Sequence, residues 1–249
     1  SLDLGFRDVE ATAQGIALGG KPLILRGVRR CECDGRTGLA VGLPEMIDDI
    51  VWCKRHGVNT VVVGEAPGHA RFLELADEYG VYVITCTSHL YGPGAARDEA
   101  LEAAIRRDRA HPSVIAWAIG EDEDEVRAVH TLDPTRPEYS QARFPDLRKV
   151  RGEELHYAPV TVAPSYSGVT VRNHMTFTST SDLEFLCRVV EEGHETWEYS
   201  ASLDVAPGET GFLPVPWPAS GLREVSVRFS YNTGWAPPGF EIARGELPM

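Results

Sequence analysis

An acidic cluster follows an apolar segment near the middle of the chain. Residues 110–119 read Ala-His-Pro-Ser-Val-Ile-Ala-Trp-Ala-Ile, and after one glycine come five consecutive acids at positions 121–125. The apolar segment predicts a buried β-strand, and many α/β enzymes place catalytic carboxylates where such a strand ends. The alternative is that the acids form a solvated loop and cap the next helix.

Polar residues also follow three other predicted strands, over residues 22–28, 58–65 and 81–86. These residues are Arg30, Cys31, Glu32 and Cys33 after the first strand, Glu65 at the end of the second, and Cys86 and His89 at the third. The carboxyl ends of parallel strands lie at one edge of a sheet, where ligands bind in such folds. We therefore expect these side chains and the acids at 121–122 to be neighbours.

Three of these side chains suit acid/base chemistry. When carboxylates such as Glu65, Glu121 and Asp122 lie close together, repulsion raises the pKa of one and leaves a protonated acid beside a base. That arrangement serves proton abstraction, dehydration, cyclisation or glycoside chemistry. The alternative is again that all three are solvated loop acids.

Cysteine and histidine residues near the same edge raise the question of a metal site. Cys31, Cys33, Cys86 and His89 could gather around an ion. A Cys-x-Cys pair is a weak signal, however, and buried structural cysteines are common. We therefore expect no metal and no cofactor.

Helices are predicted between the four strands. The first begins at Leu43 and ends at His56-Gly57, and the others run over residues 67–79 and 95–109. Alternation of strands and helices with short turns predicts a parallel sheet with right-handed crossovers. Residues 3–19 are a predicted strand-turn-strand lead-in to this sheet.

The pattern changes after residue 137. Residues 138–157 are polar and irregular, and from residue 158 onward apolar residues recur with a period of two, which is typical of an antiparallel sandwich. The predicted strands are Val169–Val171, Met175–Phe177, Leu183–Val190, Trp197–Leu203, Gly211–Val215 and Val225–Tyr231. We therefore predict an α/β domain over 1–145, a linker over 146–157 and a β-sandwich over 158–249. The tryptophans of the sandwich are expected to lie in its core or at a domain interface.

Charge and cysteine content limit the partners and the compartment. The net charge of −13 argues against nucleic acid and against an anionic membrane surface. No apolar run is long enough to span a membrane and no signal-type start is visible. Five cysteines, an odd number, suggest no disulfide framework, so a cytoplasmic protein is expected.

Several motifs carry a resemblance to a known family. They are Lys21–Val28, Asp77–Ile84, Arg107–Trp117, Asp133–Pro137, Tyr157–Val160, Ala206–Glu209 and Trp235–Glu241. In this order they resemble glycoside hydrolase family 2, the β-galactosidase-type enzymes. The resemblance implies a half TIM barrel, that is, a parallel (βα)4 unit, followed by an antiparallel β-sandwich. It also implies a carbohydrate or another small molecule as substrate.

The chain departs from the family pattern at the strand ends. The Gly-Asn-Glu that carries the family's general acid/base reads here Gly120-Glu121-Asp122, and Glu65 stands where a histidine is expected. The family's Asn-Arg-His-Glu and Asp-Glu-Ala-Asn read here Arg-Arg-Cys-Glu at 29–32 and Thr-Cys-Thr-Ser at 85–88.

The second half of the family's barrel is also missing, and with it the nucleophilic glutamate. Retaining hydrolysis needs two carboxyl groups about 5–5.5 Å apart. Ordinary hydrolysis by the family mechanism is therefore not expected of this chain.

These observations favour acid/base chemistry on a small organic substrate. Asp122 and Glu65 would be the acid/base pair and Glu121 a modulating or binding group. The residues expected to bind the substrate are Arg30, Glu32, Cys86, His89 and Trp117. The alternatives are a non-catalytic protein that binds carbohydrate or protein, and a residual glycoside hydrolase.

A half barrel has two edge strands, here residues 22–28 and 114–120. Their unpaired backbone groups would be exposed unless the lead-in or the sandwich covers them, or two chains pair. We predict a homodimer on this ground.

Overall fold

The computed structural model describes residues 8–13, 15–31, 38, 41–64, 68–87, 95–119, 123–139, 144–151 and 155–247. The chain divides into two compact units: residues 1–54 with 58–155, and residues 55–57 with 156–249. No helix among the described residues is long and apolar enough to cross a membrane.

The first unit opens with a small antiparallel sheet. Its strands are β1 (Val9–Thr12), β2 (Gly15–Leu18) and β3 (Lys21–Pro22). Pro22, predicted to open the first parallel strand, pairs instead with Ala17 of β2. The side chain of Asn59 accepts from the Arg26 amide at 2.8 Å and donates to the Ile24 carbonyl at 2.9 Å. It thereby holds the connection to the main sheet.

A parallel sheet follows, as the alternating pattern predicts. Its strands lie in the order β4 (Gly27–Cys31), β5 (Thr60–Gly64), β6 (Tyr82–Cys86), β7 (Val114–Ala118) and β8 (Glu138–Tyr139). Every residue of β7 is buried, which explains why that strand is a continuous apolar run: layers cover both of its faces.

Helices connect these strands. They are α1 (Leu43–Arg55), α2 (Ala70–Tyr79), α3 (Ala95–Asp108), α4 (Glu123–Leu132) and α5 (Leu147–Val150). The start of α2 is set by His69, whose ring accepts from the Arg71 amide at 3.1 Å, and its end by Gly80 in the left-handed conformation. The helix α5 lies in the predicted linker, with Leu147 and Val150 buried.

Part of each edge of the parallel sheet is paired with a later stretch of the same chain, at residues 138–139 and 145–146. β8 pairs with β7, and Asp146 forms a parallel bridge with Arg29 of β4, whose amide donates to the Pro145 carbonyl at 2.8 Å. The prediction that only the lead-in, the sandwich or a second chain could cover these edges was wrong. The pairing was not predicted because residues 138–146 are mostly polar and show no alternation of apolar and polar side chains.

The inner face of the sheet is filled with apolar side chains. Buried residues from the lead-in sheet and from β5, β6 and β7 form one cluster, against which Tyr139 and Phe144 pack. These two rings stack with centroids 6.4 Å apart, and Phe144 lies against Gly27 of β4. The interior of this half barrel is thus a packed core.

The second unit is an antiparallel β-sandwich, as predicted. Its strands are β9 (Val160–Ser165), β10 (Gly168–Asn173), β11 (Leu183–Glu191), β12 (His194–Ala201), β13 (Thr210–Pro214), β14 (Leu222–Phe229) and β15 (Glu241–Leu247). They form one sheet in the order β13-β10-β9 and another in the order β12-β11-β14-β15. A core of buried valine, leucine, isoleucine and phenylalanine side chains lies between the sheets.

Three strand assignments in this unit differ from the predictions. No strand was predicted at β9 (Val160–Ser165). Residues 175–177 are not a strand, because the Asn173 side chain accepts from the Met175 amide and donates to the Thr178 and Val205 carbonyls, which fixes an irregular turn. β15 was not predicted, because its sequence, Glu-Ile-Ala-Arg-Gly-Glu-Leu, shows too little apolar alternation.

Candidate functional site

The carboxyl ends of four parallel strands lie side by side. Pairing of Cys31 with Gly64, and of Cys86 with Ala118, brings the last residues of β4 to β7 to one edge of the sheet. This is the edge at which ligands bind in such folds, and we call it the carboxyl edge.

The predicted catalytic residues Glu65, Glu121 and Asp122 lie outside the described residues, as do the predicted binding residues Glu32 and His89. Their neighbours in sequence are described: Cys31, Gly64, Thr87, Ile119 and Glu123 each lie within two residues of one of them.

Cys86 points to the inner face of the sheet. Its side chain is buried and unoxidised, in the apolar cluster that contains Ile84 and Ala118. Cys31, at the end of β4, is instead disulfide-bonded, which departs from the expectation of no disulfide. No group of three or more possible metal-binding residues occurs within the described ranges.

Arg30 points to the opposite face, toward the helices. Its side chain is 2% exposed, its Nε lies 2.7 Å from Oδ2 of Asp49 on α1, and its guanidinium carbon lies 4.2 Å from the centre of the Phe72 ring on α2. The structure therefore places Arg30 between sheet and helices, and not beside Cys86.

Trp117 also faces the helices. Its fully buried indole donates from Nε1 to Asp133 at 3.1 Å. Burial alone would raise the pKa of Asp133, but hydrogen bonds from Thr135 and the charge and hydrogen bond of Arg136 outweigh it and hold the pKa below its usual 3.8. Trp117 therefore anchors the turn after α4.

A buried carboxylate at the carboxyl edge was missed by the sequence analysis. Glu125 is 5% exposed, and its Oε1 accepts from the Thr87 hydroxyl at 2.8 Å. The Thr87 amide donates to the Ala118 carbonyl at 3.0 Å, so this pair joins the ends of β6 and β7 to the first turn of α4. A carboxylate there is stabilised by the amino end of the helix.

Helical spacing could have identified Glu125 within the acidic cluster. It lies four residues before Val129, and both are buried on one face of α4, whereas Glu123 and Asp124 are exposed. Only one of the three described acids in the cluster therefore points into the protein. A carboxylate held this way can orient a neighbouring group.

Serine, histidine and aspartate meet at the opposite, amino edge of the sheet. Asp77 accepts from His111 Nδ1 at 2.6 Å and from the Ser113 amide at 2.7 Å. The Ser113 hydroxyl is buried and makes no hydrogen bond to any described residue. A nucleophile must reach its substrate and its base, so these residues fix the start of β7 and do not form a catalytic triad.

Two known protein families match this chain. Residues 9–91 match the TIM barrel domain of the glycosyl hydrolases of family 2, and residues 169–249 match domain 4 of β-galactosidase. The match to the barrel domain lies in the first structural unit, and the match to domain 4 lies in the second.

Individual relatives are longer than this chain. The β-galactosidase BgaC of Bifidobacterium adolescentis is 22% identical over 397 aligned positions, which take in 98% of this chain and 38% of the relative. Because the chain has 249 residues, the relative contains internal segments that this chain lacks. The β-galactosidase of Enterobacter cloacae is 34% identical over 157 positions, 55% of this chain and 15% of its own length.

Among solved structures, the β-D-glucuronidase of Dictyoglomus thermophilum matches 55% of this chain and 29% of its own, with 23% identity and a TM-score of 0.47. The two family matches carry the assignment. The first unit is thus similar to part of the TIM barrel domain of the glycosyl hydrolases of family 2, and the second unit is similar to domain 4 of β-galactosidase.

Proposed function

We propose that this protein performs acid/base chemistry on a small carbohydrate-related molecule at the carboxyl edge of its parallel sheet. Asp122 and Glu65 act as the acid/base pair, and Glu121 binds the substrate or modulates the pair. The observation that carries the proposal is the buried Glu125, held by Thr87 at the carboxyl edge three residues after Asp122.

Glu125 serves in this proposal as a positioning residue. Its carboxylate fixes the start of α4 against the end of β6 through a hydrogen bond of 2.8 Å. That contact holds the first turn of α4, the helix that follows the proposed catalytic residue Asp122 in the sequence. The carbohydrate character of the substrate is inferred from the relatives, whose names describe them as β-galactosidases.

Hydrolysis of a glycosidic bond is the second candidate for the same edge. The match to the family 2 barrel domain favours it. It requires a carboxylate other than the family's nucleophile to act about 5–5.5 Å from the acid.

The two reactions differ in what they do to substrate hydrogens. We would incubate the full chain in D2O with a panel of aryl β-glycosides, aldonates and uronates and follow each by NMR. Proton abstraction replaces a C–H hydrogen by deuterium or eliminates water, whereas hydrolysis releases the aryl alcohol and leaves ring C–H signals intact. We expect the first outcome; aryl release alone supports the second candidate, and binding without turnover contradicts both.

Thr87→Val tests the positioning role of Glu125. It keeps the shape of the side chain and removes the hydroxyl that donates to Glu125. We expect kcat to fall about tenfold with little change in KM, since misplaced catalytic groups slow the chemical step. Thr131→Val, on the exposed side of α4, is the matched control and should leave both constants unchanged.

A cytoplasmic location and a homodimer remain predictions made from the sequence alone. The disulfide bond of Cys31 weakens the cysteine argument for the cytoplasm. The pairing of residues 138–139 and 145–146 with the sheet edges weakens the argument for the homodimer. Light scattering at micromolar concentration tests it: twice the chain mass of 27.3 kDa is expected for a dimer. The single chain mass would show that the covered edges suffice for a monomer.

A further inference from the structure

A buried arginine lies inside the sandwich without a carboxylate partner among the described residues. Arg223 on β14 stands opposite Val189 of β11, which is fully buried, so both side chains face the space between the sheets. Arg223 is 3% exposed, and its Nη2 donates to the Pro218 carbonyl at 3.1 Å. The ring of Tyr166 covers the guanidinium, with its centre 5.0 Å away.

The remaining donors of this guanidinium are unused. Nε and Nη1 of Arg223 are shielded from solvent and have no hydrogen-bond partner in the part of the chain that the structure describes. A cation removed from water is strongly destabilising unless acceptors and an opposite charge compensate it. One carbonyl and one aromatic face leave most of that demand unmet.

A second unused donor belongs to the residue next to Pro218 in the sequence. The indole Nε1 of Trp217 is also buried, with no partner within the described ranges, and its residue directly precedes Pro218. The ring of Trp217 lies 5.6 Å from that of Trp197, which stands opposite Val189 on β12. Trp197, Val189 and Arg223 therefore form one row across three strands, and residues 217–218 contact both ends of it.

We propose that this cluster, which we call the Arg223 site, binds a small carboxylate. All its free groups are N–H donors, and one of them is charged, so the complementary ligand is an oxyanion that only accepts. The ring of Tyr166, which is 74% exposed, is the part of the covering layer that can move aside to admit the ligand. The site lies in the sandwich unit and goes beyond the proposed function at the carboxyl edge.

The test follows the indole N–H signals of the full chain. The chain has five tryptophans, so tryptophan labelled with ¹⁵N at the indole gives few signals, and Trp217→Phe assigns the relevant one. During titration with sodium acetate we expect that signal to shift saturably. In Arg223→Gln we expect the apparent affinity to fall at least about tenfold, the usual effect of losing a charge-assisted hydrogen bond.

Matched variants and ligands complete the test. Arg188→Gln removes an arginine of the neighbouring strand β11 that pairs with the exposed Glu198, and it should bind acetate as the wild type does. If Arg223→Gln does not fold, Trp217→Phe takes its place as the test variant. Its acetate binding is then measured as the rise in melting temperature on adding acetate.

Comparing ligands identifies what the site recognises. Tighter binding of glucuronate than of acetate would indicate a sugar acid as the ligand, and equal binding would indicate that only the carboxylate group is recognised. The proposal is overturned if the Trp217 signal does not shift at about 100 mM acetate, a concentration that would saturate a site with a Kd of about 1 mM. A shift that persists unchanged in Arg223→Gln also overturns it.

Discussion

Glu123 and Glu125 are two positions apart on α4, yet one is exposed and the other is buried against Thr87. The same contrast separates Arg30, held between Asp49 and Phe72, from Arg29, which is exposed. At the scale of single residues, the role of a charged side chain therefore depends on whether it is buried and on which groups it contacts. Breaking a charged pair whose partner is buried should therefore reduce the stability of the first unit.

The pair of Asp133 and Arg136 should be the most costly of these to break. Their side chains are 3% and 12% exposed, and Arg136 also donates to the Val114, Arg109 and His111 carbonyls. Arg136→Met leaves a buried carboxylate without its cation. We expect the free energy of unfolding to fall by about 3 kcal/mol, measured by urea denaturation.

Arg127→Met is the matched control for that substitution. Arg127 pairs with Asp124 on the same helix, but their side chains are 70% and 88% exposed. An exposed pair contributes less than about 1 kcal/mol. Equal effects of the two substitutions would show that burial does not determine the strength of these pairs.

Asp77 should make stability depend on acid pH. Burial alone would raise the pKa of Asp77, but hydrogen bonds from His111 and Ser113 outweigh it and hold the pKa below its usual 3.8. A lowered folded-state pKa contributes stability above the unfolded-state value, and this is lost as the pH falls through the folded-state value.

The Asp77→Asn variant measures this contribution. We expect it to reduce the free energy of unfolding more at about pH 6 than at about pH 3, because near pH 3 the wild type has lost part of the benefit. Urea denaturation at both pH values gives the comparison. A cost that is the same at both would mean that the carboxylate charge of Asp77 does not matter.

At the scale of elements, β4 packs closely against the stretch that follows β8, where Gly27 meets the ring of Phe144. A Cβ added at Gly27 would lie 2.7 Å from ring atoms of Phe144. Gly27→Ala should therefore reduce the free energy of unfolding by about 1–3 kcal/mol, the usual cost of overpacking. Gly64→Ala, in the next strand, meets nothing within 4 Å and serves as the control.

A double variant tests whether the contact itself is responsible. Phe144→Ala removes the ring that the added methyl group of Gly27→Ala would strike, so the combined cost of the two substitutions should be smaller than the sum of the single costs. Additive costs, measured by urea denaturation, would exclude Phe144 as the cause.

The sequence predicted elements whose pattern is strong and missed those whose pattern is weak. β5, β6 and β7 are apolar runs, and their order and direction were predicted correctly. β8 has two residues, and the bridge at Asp146 a single one, so neither leaves a periodic signal. The faces of Arg30 and Trp117 could not be assigned, because both faces of this sheet are covered and alternation alone does not distinguish them.

At the scale of the whole molecule, two units with separate cores follow one another. The first matches the family 2 barrel domain, and the second matches β-galactosidase domain 4. Neither candidate site uses residues of both units: the carboxyl edge belongs to the first and the Arg223 site to the second. A variant in one unit should therefore leave the chemistry of the other unchanged.

The central claim is that the carboxyl edge of the parallel sheet is an acid/base site. Its most direct test compares kcat/KM of Asp122→Ala and Glu123→Ala, measured side by side on the substrate that the wild type converts fastest. Asp122→Ala should lower kcat/KM at least about a hundredfold, the usual contribution of a general acid or base. The exposed Glu123 should be replaceable without loss. Equal kcat/KM values for the two variants would contradict the assignment.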